Sequence, residues 1–327
     1  YIESMSTSTV IAQGTCNSSC LLVLMSGKNR FANWNMNLGF HAASAITNLG
    51  EAREMMISDL GDESYSYLVK RGVPYEIIQQ AKSQGAGKMV PVSAIDLFDS
   101  GALTGLLDED KIIDTDNAKW RYIEEIFKDT ELSNLSSVLS AIRDADQSLV
   151  KKYAKPFYDA IKADDGAKIK ILMAELIGSI IQRAFKAAEG NELNAYVGIQ
   201  YFQIRHLAKL EQWKSCVEYV DGKLVHETLP VLSKELRQKE FEALASLIRS
   251  ASSNKWKSQP IPSWVESSST KVYNEVVATA LEMGLIDDEA NPQSLRGQCI
   301  FYYMLFDQFL DLDADTAAPV LRSILTQ

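Results

Sequence analysis

From residue 115 to the end of the 327-residue chain, apolar side chains recur at steps of three and four, a spacing that one face of an α-helix satisfies and a strand does not. Ile169, Leu172, Met173, Leu176, Ile177, Ile180, Ile181 and Ala184 form one such stripe. Asp164 and Asp165 stand before it and Gly190 after it, in the places where helices start and stop. Tyr273, Val276, Val277, Ala280 and Leu281 form a second stripe. Ile300, Phe301, Met304, Leu305 and Phe309 form a third, with Gln308 its polar interruption. Between Asn191 and Trp213 the apolar residues run nearly all the way round, which predicts a central buried helix. Ser252 to Ser263, with Pro260 and Pro262, reads as a loop. No period of 30 to 45 residues repeats, so the pattern predicts an all-helical domain over 115–327 built from antiparallel helix pairs rather than a repeat array.

Residues 1–114 have a different grain. Thr9 to Ala12 reads as a strand that Gly14 ends; Phe31-Ala32 and Leu38 to His41 read as short extended pieces separated by an Asn-rich turn. Residues 52–59, 62–71 and 74–83 look helical, with Pro74 at a first helical position. Ser93 caps a further short helix that runs to Gly101. Strands mixed with helices predict an α/β domain here, and a chain of this length has room for two domains.

Hydrophobic residues make up 46% and charged residues 23%, ordinary for a globular chain. A net charge of −10 opposes both general nucleic-acid binding and docking on anionic lipid. No apolar stretch reaches the 18 residues a membrane span needs. The chain opens at Tyr1 without a basic region leading into an apolar one, so it reads as a fragment or processed chain whose compartment its start does not reveal. The four cysteines, Cys16, Cys20, Cys216 and Cys299, form no paired Cys-x-x-Cys set, which opposes a zinc site. Cys16 and Cys20 admit two readings. A sharp backbone turn would let them join, implying an oxidising compartment; otherwise they are two small residues buried where a strand meets a helix, the favoured reading.

Between those cysteines lies the string Cys16-Asn17-Ser18-Ser19-Cys20, followed by an apolar run to Met25, Ser26-Gly27, Arg30-Phe31 and Leu38-Gly39-Phe40-His41. It resembles the region around the nucleophile in the Clp protease proteolytic subunit, whose fold is of the crotonase-like superfamily. It is closer still to bacterial, often periplasmic, Clp-like proteins with a Cys-x-Ser-x-Cys element. Residues 92–106, from Val92-Ser93-Ala94 to Thr104-Gly105-Leu106, resemble the short helix and exit segment that end that fold. The likeness covers about residues 8–110 and implies the C-terminal portion of a Clp/crotonase-like α/β domain over 1–114. It makes Ser18 the nucleophile at the start of a buried helix, His41 the base at a strand end, and the Ser19 N–H an oxyanion donor. The chemistry has a reason. A serine hydroxyl needs a base to take its proton during attack, imidazole titrates near neutrality, and the first N–H groups of a helix have no internal partner. Without the flanking pattern, Ser18 reads as a turn residue and His41 as a core residue.

The likeness implies a serine peptidase or related hydrolase acting on a peptide or protein, without a cofactor or metal, in a periplasmic or other extracytoplasmic setting. Two departures count against it. The family's triad aspartate falls here on Met89, with Asp96 and Asp99 nearby, and the family's Gly-Gly-Ser oxyanion loop lies further upstream than the 17 residues before Ser18 allow. The rival is an inactive Clp-like scaffold whose helical domain binds a protein partner. Acyl-CoA chemistry would not need the Ser-His pair. Lys28 and Arg30 read as surface cations rather than a base. Asp311, Asp313 and Asp315 lack the Gly and Glu of a calcium loop, and Asp315 reads as a helix cap. His206 and His226 carry no role, the tryptophans Trp213, Trp256 and Trp264 read as packing anchors, and the glycosylation triplets at Asn17 and Asn134 are too short to weigh.

Overall fold

The computed structural model describes residues 7–42, 51–84, 88–128, 135–221, 231–232, 234–287, 291–292 and 294–326. His226 and Asn134 lie outside them. The chain divides into two compact units, Tyr1–Ile123 and Glu124–Gln327. The division falls inside a helix, α5 (Thr115–Lys128), rather than before it.

The first unit holds two small sheets. One has the order β1-β3-β6-β7, formed by Ser8–Ile11, Asn29–Asn33, Gly105–Asp108 and Lys111–Ile113. In it β1, β3 and β6 run parallel and β7 returns antiparallel. The other has the order β2-β4-β5, formed by Cys16–Asn17, Asn37–Phe40 and Val90–Ser93. There β2 and β4 are parallel and β5 antiparallel. Between β2 and β3 runs α1 (Ser19–Ser26), which buries Leu21, Leu24 and Met25. Helix α2 (Glu51–Lys70) is continuous through Gly61, where the sequence suggested two helices. Helix α3 (Tyr75–Gln84) follows Pro74, and α4 (Ala94–Asp99) starts on Ser93, whose hydroxyl accepts the Asp96 N–H.

Arg30 is not a surface cation. Its side chain is 8% exposed and donates to the carbonyls of Ala102 (2.5 Å), Gly101 (3.1 Å), Gly27 (3.3 Å) and Lys28 (3.4 Å). Arg71, at the end of α2, donates to the carbonyls of Met25 (2.6 Å) and Gly27. Thr9 on β1 donates its hydroxyl to the Leu24 carbonyl at 2.6 Å. The last carbonyls of a helix carry its partial negative charge and have no internal donor. Arg71 and Thr9 reach such carbonyls, those of Met25 and Leu24, and Arg30 binds that of Gly27 just past the helix, which together anchor α1 at its C-terminal end. Burial, and then the nearby Arg71, pull the Arg30 guanidinium below its ordinary pKa.

The second unit is helical. Its helices are α6 (Leu135–Ala145), α7 (Gln147–Lys162), α8 (Gly166–Ala187), α9 (Gly190–Lys209), α10 (Trp213–Val220), α11 (Lys234–Ser253), α12 (Val265–Glu282), α13 (Leu295–Leu310) and α14 (Ala314–Leu325). Helix α9 is central, packing against α10, α11, α13 and α14 and burying Leu193, Val197, Ile204 and Leu207. That position matches its all-round apolar sequence only in part, since Phe202 and Leu210 are each 49% exposed. The other stripes are buried less fully than they read. On α8, Leu172, Leu176, Ile180 and Ala184 are buried while Ile169, Met173, Ile177 and Ile181 are partly exposed. On α13 only Gly297, Cys299 and Phe309 are buried. Asp313, not Asp315, caps α14, accepting the Thr316 N–H at 3.0 Å. Cys216 on α10 is bonded to Cys299 on α13, 83 residues away, inside a core with Ile204, Leu207 and Tyr219. Trp213 packs against that core, Arg183 lies over the Trp256 ring, and Trp264 is 40% exposed.

Candidate active site

Cys16 and Cys20 are joined, so the favoured reading of two separate small residues is overturned. The bridge spans Ser18, one residue of connection between a strand that ends at Asn17 and a helix that starts at Ser19. Ser18 has φ 55° and ψ −118°, outside every region that L side chains populate readily. Such a conformation costs about 1–3 kcal/mol and persists only where its surroundings enforce it.

The same geometry changes what the serine can do. At the first position before a helix a serine ordinarily accepts an N–H of the first turn. Ser93 and Ser294 do so at the starts of α4 and α13; the Ser18 side chain makes no such bond. The first turn of α1 also holds no acidic residue. Ser18 is exposed, and the N–H of Ser19, the first residue of the helix, has no carbonyl within α1 to bond.

Strand pairing brings His41 to the same edge. Asn17 pairs with Gly39 in the parallel ladder, and the Ser18 N–H donates to the Gly39 carbonyl at 3.1 Å. Ser18 and His41 thus follow the C-terminal ends of two adjacent parallel strands, β2 and β4, the edge at which open α/β sheets present their ligand sites. The His41 Nδ1 lies 2.7 Å from the Ala42 carbonyl. A carbonyl can only accept, so this bond puts the hydrogen on Nδ1 and leaves Nε2 as the lone-pair nitrogen. The Tyr65 hydroxyl donates to the His41 carbonyl at 3.4 Å, an anchor from α2 with no motif to reveal it.

The last pair of the β4–β5 ladder is Phe40 with Val90. One step beyond it stand His41 and Met89, on the face that also carries Gly39. A Cβ on Gly39 would collide with the Asn17 side-chain amide oxygen and come within 3.1 Å of the Met89 Sδ. Glycine at 39 is what lets both side chains cross the strand there. The Met89 side chain is 42% exposed. Neither nearby aspartate is free to take its place: Asp99 binds Lys119 Nζ at 2.7 Å and Thr115, while Asp96 sits in the first turn of α4. Among the described residues no group of three or more His, Cys, Asp or Glu side chains could hold a metal ion, and no helix is long and apolar enough to cross a membrane.

Comparison with protein-family models, with curated proteins and with solved structures finds no match for the chain in any of the three.

Proposed function

We propose that the chain is a serine hydrolase of the peptidase class, with Ser18 as nucleophile, His41 as general base and the Ser19 N–H as one oxyanion donor. The observation that carries this is Ser18 itself: a non-glycine residue at φ 55°, on a strand-to-helix elbow, whose hydroxyl is not spent on capping the helix it precedes. Strain of this kind concentrates at functional sites, and a sharp strand–helix turn is how a nucleophilic serine is lifted clear of a sheet.

In the proposed reaction His41 Nε2 takes the hydroxyl proton as Ser18 Oγ attacks the substrate carbonyl. The developing oxyanion is held by the Ser19 N–H at the positive end of α1, and the imidazolium then protonates the leaving group. The Ala42 carbonyl fixes the tautomer, the task an aspartate performs in a full triad, without supplying that aspartate's charge. The likeness of residues 8–110 to the Clp/crotonase-like fold supports a peptide or protein substrate. The small mixed sheets of the first unit are compatible with an α/β region of that kind. Two disulfides support an extracytoplasmic, periplasmic setting.

A fluorophosphonate probe tests it. Labelling of the wild-type chain that disappears in Ser18→Ala and falls at least about a hundredfold in His41→Ala is the expected outcome. A folded chain that takes no label favours a second reading, a scaffold that has lost its chemistry and whose helical unit binds a protein. The observation behind that reading is Met89, which lies one residue beyond the Phe40–Val90 pair of the strand next to β4, where a carboxylate would serve catalysis.

A further inference from the structure

Several features keep Ser18 in a conformation it would not choose, and one of them is covalent. Strand β2 is two residues long, so its ladder alone is a weak anchor for the elbow. Helix α1 has no side-chain cap, so its first turn is free to fray. Either end could relax and let Ser18 fall into an ordinary basin. The disulfide blocks both routes, because it ties the first residue of β2, Cys16, to the second of α1, Cys20, across a Cα separation of 5.3 Å. Its ring closes over four residues, against 83 for Cys216–Cys299. A ring so small restricts the unfolded chain far less, so global stability is not its main effect.

We propose that Cys16 and Cys20 are positioning residues for Ser18, and that reducing their disulfide with a dithiol takes the hydroxyl out of its reactive geometry. The proposal rests on the hydrolase reading for its consequence but not for its geometry. Cys20 is partly exposed, Cys16 is fully buried, and both Cys216 and Cys299 are fully buried, so the elbow bridge is the one a reagent reaches first. A dithiol thiolate attacks Cys20 Sγ and forms a mixed disulfide. Cys16 Sγ leaves with the bonding pair and takes a proton. The reagent's second thiol then closes its own disulfide and releases the Cys20 thiol. Two electrons and two protons pass from the dithiol to the two cysteines.

The experiment treats the full-length chain with dithiothreitol under native conditions and maps alkylated thiols by peptide mass. Thiols are expected at Cys16 and Cys20 before Cys216 and Cys299; the reverse order overturns the proposal. Amide hydrogen exchange over residues 16–24 is expected to quicken at least about tenfold on reduction while the β3 and β6 peptides stay protected. Unchanged exchange at the elbow overturns it. Fluorophosphonate labelling is expected to slow by about tenfold or more in the same sample.

A cycle without catalysis separates the two claims. Glycine adopts φ 55° freely, so Ser18→Gly is expected to raise the thermal midpoint of the oxidised chain. In Cys16→Ala/Cys20→Ala, where the elbow can relax, that gain is expected to vanish; should this double variant not fold, the dithiol-reduced chain takes its place. A gain of equal size with and without the bridge refutes positioning, even if labelling falls. A gain confined to the bridged chain upholds positioning, even if the wild type never labels and the hydrolase reading fails.

Discussion

Met89→Asp places a carboxylate where the β4–β5 register, continued one residue past its last pair of Phe40 with Val90, sets position 89 across from His41. At present Nδ1–H donates to a neutral carbonyl, that of Ala42, at 2.7 Å. A hydrogen bond between neutral groups is worth about 0.5–1.5 kcal/mol net, and one to a charged group about 1.5–3 kcal/mol. The gain appears when the imidazole becomes a cation in the transition state, so about 1.4 kcal/mol of it translates into a tenfold faster attack. Position 89 is 42% exposed and water screens the pair, which holds the expectation to about tenfold, far below the roughly 10⁴-fold worth of a buried triad aspartate. The assay is the second-order rate constant for fluorophosphonate labelling of wild type, Met89→Asp and Met89→Asn, with the elbow disulfide checked intact in each. Asparagine keeps the shape without the charge and is expected to change the rate less than threefold. Equal rates for the Asp and Asn variants would refute both the register argument and the part assigned to His41.

Two further predictions concern the second unit. Asp146 begins α7, accepting the Ser148 N–H at 3.0 Å and Arg183 Nη1 at 2.6 Å, while Arg183 lies over the Trp256 ring. Burial pushes its carboxyl up, but hydrogen bonds from Ser148 and Arg183 outweigh burial and hold it below the ordinary aspartate range. Asp146→Ala is expected to cost about 2 kcal/mol at pH 7, cap and ion pair together. Because the folded value is depressed, the charge-dependent part is present above the unfolded value and is lost as pH falls through the folded one. Urea titrations at pH 7 and pH 3 followed by tryptophan fluorescence check this, and a constant difference would contradict it. In α13 a Cβ on Gly297 would run into the Leu285 carbonyl, whereas one on Gly178 in α8 meets nothing within 4 Å. Gly297→Ala is therefore expected to lower the thermal midpoint and Gly178→Ala to stabilise by about 0.5–1 kcal/mol. Shifts of the same sign would contradict the packing.

The helical unit was legible because its period is regular, down to the central place of α9, but the extent of burial was not. Ile177 and Met173 fall on the same sequence stripe as Leu176, yet they lie at its margin, and a one-dimensional pattern does not say how wide a neighbour is. The strands of the first unit were harder. Pro91 argues against a strand, and β5 tolerates it only as the edge of its sheet. The β6–β7 hairpin turns on Glu109 at φ 53°, with no glycine or asparagine to announce it. Without β5 in view, Met89 could be placed by resemblance alone and not by register. Arg30 read as a surface cation because the acceptors that surround it are backbone carbonyls, invisible in a sequence.

Ser18 to Cys20 is where the local rules disagree most with the fold, and the disagreement has a direction. A serine before a helix should cap it, a non-glycine residue should avoid positive φ, and a helix start should attract a carboxylate; at α1 none of these holds. Each departure destabilises the N-terminal end of α1, while Arg30, Arg71 and Thr9 all stabilise its C-terminal end. A helix held at its tail and strained at its head delivers its unpaired N–H groups to one fixed point. For stability alone, a glycine at position 18 would relieve the strain. A strained serine there, bracketed by a disulfide, is what the proposed chemistry calls for.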